Sequence, residues 1–319
     1  MGFCNKLTNF ECNILQTNQI EMKPVYLVGI VLSIILGSFF NWILCCESDN
    51  VLGAEDENGA KENVTSLASP LIIRDQTGDF LFKSDSNFYF NKSNFIIKRP
   101  VSSQIEKGVV SLKSYIGNQN NKFVDITGFY DPMEENNSAF PNLGLARANA
   151  VKNYLLSLGV SSKKLNIHGS SKEVLVMEEE SIVEGPIAIA ITENANIKDA
   201  QAIIDNIKQH PIVLYFDSGK SSIRLNQNQR EKYLNMVRAL DKVDNVSILV
   251  EGHTDNTGEA EANQVLGRKR AEFIKEYLVS NGIAPIRIQT VSKGQLEPIA
   301  GNDTQEGRAQ NRRIVITVN

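Results

Sequence analysis

Asp255 and Arg270 are the residues whose types and spacing best suit recognition chemistry in this 319-residue sequence. Arg270 lies four after Leu266 and four before Ile274, in a run where Leu266, Phe273, Ile274, Tyr277 and Leu278 mark one apolar helix stripe. A cation in that stripe needs a partner. Asp255 stands at the tip of the preceding strand, where a strand-to-helix loop can bring its carboxylate toward Arg270. Three arrangements are open. The arginine stem packs while its head reaches solvent. The two side chains form a structural ion pair. Or they are held apart and receive a ligand carrying both charges on one carbon, with the guanidinium forking onto a carboxylate and the aspartate accepting from an ammonium. Such a ligand is an α-amino acid end. Backbone donors at the helix N-terminus near Gly258 would favour the same carboxylate, and Thr254 and Asn263 would complete a polar rim.

The elements that must position this pair occur twice, with an offset of about 124 residues. FVDITGFYDPMEENNSAFPNLGLARANAVKNYLLSLGV matches SILVEGHTDNTGEAEANQVLGRKRAEFIKEYLVSNGI, and the upstream segments NFYFNKSNF and VLYFDSGKS also correspond. Arg147 sits between Leu143 and Val151 as Arg270 sits in its own helix, with Tyr154 and Leu158 continuing the stripe. In the second copy Ile212 to Phe216 reads as a strand, and a helix from Asn226 to Leu240 comes next with Tyr233, Val237 and Leu240 in phase. The alternating Val246, Ile248 and Val250 lead to Gly252, a helix spans about Glu259 to Ser280, and strands cover Ile286–Thr290 and Ile314–Val318. The order βαβαββ predicts an α/β sandwich, a mixed sheet with helices on one face, repeated from about residue 79 to 192. Ala202, Ile203 and Ile207 mark a short helical connector across 193–210. The expected units are therefore 71–192 and 211–319.

The region before residue 71 has a different character. Val25 to Cys46 carries no charge, and about 22 residues rising about 1.5 Å each span a bilayer core of about 30 Å. This predicts a transmembrane helix after a short cytoplasmic tail, residues 1–24, with Met22 as an alternative start of the chain. Lys23 before the helix, and Glu47, Asp49, Glu55, Asp56 and Glu57 after it, place the chain beyond Cys46 in the periplasm, as a single-pass inner-membrane protein. Cys45 and Cys46 keep an outer-membrane lipoprotein as the alternative, although Leu44 fits a lipidation signal poorly. Residues 47–70 are too polar to offset ordering entropy by burial and read as a flexible linker.

Other chemistries find little support. A net charge of −4 gives no general attraction for nucleic acid. The four cysteines all precede residue 47, and His168, His210 and His253 are widely spaced, so no metal site or other cofactor is implied. His253 is expected to pack beside its loop. No nucleophile lies beside an activating base, so the chain does not read as an enzyme. The anchor has no ionisable residue of the kind an ion-conducting helix carries.

YFDSGKSSI, EGHTDNTGEAEANQVLGRKRA and GRAQNRRIVITV, in that order, resemble the OmpA-like C-terminal domain family, which includes peptidoglycan-associated lipoprotein and the periplasmic domain of the stator protein MotB. The resemblance covers about residues 211–319. It implies non-catalytic binding of peptidoglycan, with Asp255 and Arg270 holding the diaminopimelate of the stem peptide. It also implies that Asn311, Arg312 and Arg313 support the pocket floor. Gly267 stands where the family commonly has serine, with little effect expected on ligand choice. The first copy is a diverged match. Asp131 and Arg147 remain as a degenerate counterpart, but they lie one residue further apart, Tyr130 replaces the threonine, Pro132 comes after the aspartate, and Pro186, Ile187 and Ala188 replace Asn-Arg-Arg. Whether that copy keeps a ligand site is open. So is a membrane-anchored scaffold or stator-like subunit with a vestigial wall site.

Overall fold

The computed structural model describes residues 70–172, 177–178, 182–193, 200–215 and 225–319. The expected membrane helix, the cysteines, the linker through residue 69, and Phe216 to Ile223 of the YFDSGKSSI motif lie outside these residues. Among the described residues no helix is long and apolar enough to cross a membrane.

Strands β1 (Leu71–Asp75), β2 (Leu81–Ser84) and β3 (Tyr89–Asn91) precede helix α1 (Ser103–Gly117). Then come β4 (Phe123–Tyr130), α2 (Leu143–Ser157), β5 (Leu165–Ser171), β6 (Met177–Glu178), β7 (Ile182–Glu184) and β8 (Ile187–Thr192). The second half contains α3 (Ala200–Gln209), β9 (Ile212–Tyr215), α4 (Gln227–Lys242), β10 (Ile248–His253), α5 (Ala260–Ser280), β11 (Ile288–Gly294), α6 (Gln305–Asn311) and β12 (Arg313–Val318). The mixed α/β character agrees with the sequence pattern. Helix α4 begins where Asn226 and Gln229 form a reciprocal capping box. Helix α6, which no apolar period announces, starts where the Thr304 hydroxyl accepts the Gly307 N–H.

Two sheets carry the same central pairing. In one the strand order is β2-β1-β8-β4-β5, and in the other it is β11-β10-β12-β9. β4 runs parallel to β5 and antiparallel to β8, just as β10 runs parallel to β11 and antiparallel to β12. Alternate residues of β10 and β12 are buried, so each sheet face has its own role: one packs and the other is half-exposed. Helix α2 packs on β4 and β5, and α5 packs on β10 and β11.

The edges of the two sheets differ from the expected repeat. In the second half β9 pairs antiparallel with β12. The expected counterpart of β9 in the first half, within NFYFNKSNF, is β3, which joins a separate three-stranded sheet with β7 and β6. The edge beside β8 is taken instead by β1, in parallel, extended by a hairpin to β2. The cause is the Gly185-Pro186 break between β7 and β8: β3 still pairs antiparallel with the segment leading into the last strand, but beyond the break. The Asp75 carboxylate at the end of β1 accepts from Tyr115 at 2.5 Å and from Lys122 at 3.0 Å, tying the added hairpin to α1 and β4.

A pair of glycines sets each helix against its sheet. A Cβ on Gly128 would overlap the Gly144 carbonyl, and one on Gly252 would overlap the Gly267 carbonyl. Strand and helix backbones therefore touch at these points, a separation that only hydrogen side chains permit. The aspartates lie three residues beyond Gly128 and Gly252, and the arginines three beyond Gly144 and Gly267. The contact thus fixes the relative position of both members of each pair. Gly252→Ala is expected to lose about 3 kcal/mol or more in denaturant unfolding, because the helix must move off the sheet. Gly117→Ala, whose added methyl would meet nothing within 4 Å, should stay within about 1 kcal/mol of the parent.

Candidate functional site

The second-half site begins where β10 ends. Between Gly252 and His253 the pairing with β11 shifts register, and the Thr254 N–H then donates to the Gly294 carbonyl at 2.9 Å. This irregularity turns the chain away from the sheet and presents Asp255. The Asp255 carboxylate is used on both oxygens: Oδ1 accepts the Thr257 N–H at 3.1 Å, and Oδ2 pairs with Nη1 of Arg312 at 2.8 Å. Burial alone would raise the Asp255 carboxyl, but Arg312 and the Thr257 N–H and hydroxyl hold it below its ordinary value. The ion pair stays within reach of water, with side-chain exposures of 21% for Arg312 and 13% for Asp255.

Arg270 joins this group from the helix. Its Nη1 donates to the His253 carbonyl at 3.4 Å. Burial lowers its pKa from the ordinary value, the nearby Arg312 charge adds to that, and Asp255 opposes it. Arg270 and Arg312 thus both lie within the field of the Asp255 carboxylate, which Arg312 touches directly.

The expected stripe holds from Phe273 to Leu278 but not at Leu266. The buried face of α5 is Asn263, Gly267, Ala271, Ile274 and Leu278, while Leu266 is 40% exposed and Arg270 is half-buried at the edge. The phase shifts because Gly267, not a large side chain, makes the closest approach to the sheet. Thr254 and Asn263, expected at the rim, are both buried. The Thr254 hydroxyl donates to the Asp255 carbonyl, and the Asn263 amide donates to Thr257 O at 3.1 Å and Gln295 Oε1 at 2.7 Å. They brace the loop from behind. Helix α5 starts at Ala260, ten residues before Arg270 and about 15 Å along the axis.

The Asn311-Arg312-Arg313 segment divides its tasks. Asn311 is fully buried and ties Ile299, Ala300 and Asn302 together. Arg313 donates to the Glu297 carbonyl. Of the three, Arg312 is the one that reaches the Asp255 carboxylate. Spacing gives no signal for this, since 57 residues separate the partners. Gln295 is a further residue the sequence did not single out.

In the first half Arg147 donates through Nη1 to the Phe129 carbonyl at 3.0 Å, which corresponds to the bond from Arg270 to His253. Asp131 Oδ1 likewise accepts the Met133 N–H, as Asp255 accepts Thr257. The difference is Glu134. Its carboxylate forks onto Arg147 with Oε2 2.9 Å from Nη1 and Oε1 2.5 Å from Nη2. Arg147 is completely buried, so both the core position expected for it and a structural ion pair apply to this copy.

Mixed sheets with a glycine-seated helix and a charged strand-to-helix mouth define an α/β sandwich in both halves. The chain belongs to the OmpA family, whose model matches residues 88–184 and 215–312. Outer membrane protein A of Bordetella avium is 42% identical over 105 residues, covering 33% of this chain and 53% of that protein. The peptidoglycan-binding protein ArfA of Mycobacterium tuberculosis is 36% identical over 121 residues, 38% of this chain and 36% of that protein. The chain therefore spans about half of the first relative and about a third of the second. The peptidoglycan-associated lipoprotein of Burkholderia pseudomallei aligns in structure over 34% of this chain and 89% of that one, at 29% identity and a TM-score of 0.30.

His253 links the site to pH. It is 2% exposed, and neither ring nitrogen has a hydrogen-bond partner among the described residues. Burial first, then the Arg313 charge, pushes its pKa down to about 4 from an ordinary 6.5. Between those values the unfolded chain binds more protons than the folded one. The stabilisation is complete above about pH 6.5, declines as pH falls through the window, and levels off below about pH 4. Thermal melts at pH 7 and pH 5 should show a smaller drop in Tm for His253→Leu than for the parent. An equal drop would mean that His253 does not carry the effect.

Proposed function

We propose that this chain is a non-catalytic peptidoglycan-binding protein in which Asp255, Arg270 and Arg312 recognise the zwitterionic end of diaminopimelate. The observation that carries the reading is the ion pair between Asp255 and Arg312 beside Arg270. An α-amino acid end can insert into that pair and match both charges. Its ammonium takes the Asp255 oxygen that Arg312 now holds, and its carboxylate receives Arg312 and Arg270 together. The exchange costs little because the resting pair is partly solvated. Thr254 and Asn263 act as positioning residues, and Asn311 and Arg313 hold the loop from Glu297 to Asn302 behind Arg312. The relative named as peptidoglycan-binding supports the ligand class.

The organisation that goes with this function is two OmpA-type units, 71–192 and 211–319, carried in the periplasm by a single membrane helix at 25–46. Non-covalent grip on the wall would then tether the envelope. The alternative anchor is a lipidated cysteine in the outer membrane.

Binding of the full chain to purified sacculi and to a diaminopimelate-containing muropeptide tests the reading. Asp255→Ala and Arg270→Ala should each weaken binding about 100-fold, since a charge-assisted pair contributes about 3 kcal/mol. Arg312→Ala should weaken it about 10-fold, because Arg270 still meets the carboxylate. Undiminished binding by the first two variants would sink the proposal.

A further inference from the structure

The first copy shows what its architecture does with a carboxylate, because it contains one. Glu134 belongs to the loop between β4 and α2, the same loop that carries Asp131. Besides Arg147, its Oε1 accepts the Ser93 N–H at 2.9 Å and its Oε2 accepts the Asp131 N–H at 3.0 Å. Ser93 adopts a φ of 56°, a left-handed conformation rare for a residue with a side chain, and this turn aims its N–H at the carboxylate. The Nε of Arg147 donates to the Asn94 carbonyl in the same turn. The side-chain exposures are 0% for Arg147 and 2% for Glu134. Burial would raise the Glu134 carboxyl, yet Arg147 and the Ser93 N–H hold it below its ordinary value, so it is ionised.

The outer side of this loop is covered as well. Arg230 of α4 donates to the Ser138 carbonyl and, at 2.9 Å, to the Phe140 carbonyl. Asn281, at the end of α5, accepts the Ala139 N–H at 2.6 Å, and Phe140 packs edge-on to Tyr233 with ring centroids 5.0 Å apart. The end of this loop, Ser138–Phe140, which aligns with the first turn of α5 in the second copy, is here the seat on which that copy rests.

We propose that the first copy is self-ligated: Glu134 occupies the place of a ligand carboxylate on Arg147, the copy takes no diaminopimelate, and its loop serves to dock the second copy. The comparison with a ligand rests on the reading that Arg270 receives a carboxylate. In the second copy an offset of 124 puts Gly258, which has no side chain, where the first copy has Glu134.

Carboxylate rescue in the full chain tests this. Glu134→Ala leaves a buried guanidinium unpaired and should lower Tm, and acetate should raise it again in a concentration-dependent way beyond chloride at equal ionic strength. Glu134→Ala/Arg147→Met should show no such rise. Acetate acting no better than chloride would overturn the proposal. Should Glu134→Ala not fold, the paired apolar variant Glu134→Leu/Arg147→Met decides by stoichiometry. Calorimetry with diaminopimelate should give one equivalent per chain in the parent and in this variant, and none in Asp255→Ala/Arg270→Ala. Two equivalents in the parent, falling to one when Glu134 and Arg147 are replaced, would show that the first copy binds. No binding by the parent would defeat the second-copy site, while the rescue result would still decide the first.

Discussion

Strand and helix backbones touch at Gly252 and Gly267, and again at Gly128 and Gly144. Much of the remaining architecture depends on that contact. A helix seated this closely cannot slide along its sheet without driving a carbonyl into a Cα, so the residues three positions beyond each glycine are set relative to one another by backbone sterics. Side-chain attraction then has only to select rotamers. This is why both arginines find the same backbone carbonyl, that of Phe129 or His253, although the charges around them differ. The glycine at 267, where serine is common in the resembling family, belongs to this contact: its Cβ would also press on the Ser292 hydroxyl.

On that shared frame the two halves place one charge differently. The second half draws its extra cation, Arg312, from the start of β12 and pairs it with Asp255 at a partly solvated mouth. The first half has Ile187 and Ala188 there and instead brings an anion, Glu134, from inside the loop to Arg147. A dry ion pair of this kind contributes little net stability compared with apolar packing, but it strongly penalises any state that separates it. It therefore holds the loop in a single conformation. That constancy suits a surface on which Arg230 and Asn281 depend for partners.

The seam between the halves joins the Phe140–Tyr233 contact to specific polar pairs. Lys152 pairs with Asp241 at 2.6 Å, Asn153 donates to the Gly282 carbonyl, and Lys242 reaches the carbonyls of Lys163 and Leu165. The described residues of both halves accordingly fall within one compact unit. The orientation of the Asp255 loop relative to the first half is set by these contacts.

Much was legible in the sequence because it depends on local periodicity. Alternation in Val246–Val250, the helical phase of Tyr233 and Val237, and the repeat itself determined most of the elements and the mixed α/β character. Asp255 and Arg270 stood out as a pair too, since the Gly-to-Asp and Gly-to-Arg spacings occur in both copies. The tertiary structure alone decided their partners. That Arg312 meets Asp255 across 57 residues, that Glu134 fills Arg147, and that Asn263 faces inward all depend on how the chain folds back in space. The edge strand β1 was hidden for the same reason, as pairing across a sheet leaves no period along the chain. Local pattern determines which elements form, because hydrogen bonding and burial repeat with them. Which charge answers which is settled only when distant segments are brought within a few ångströms and water is excluded between them.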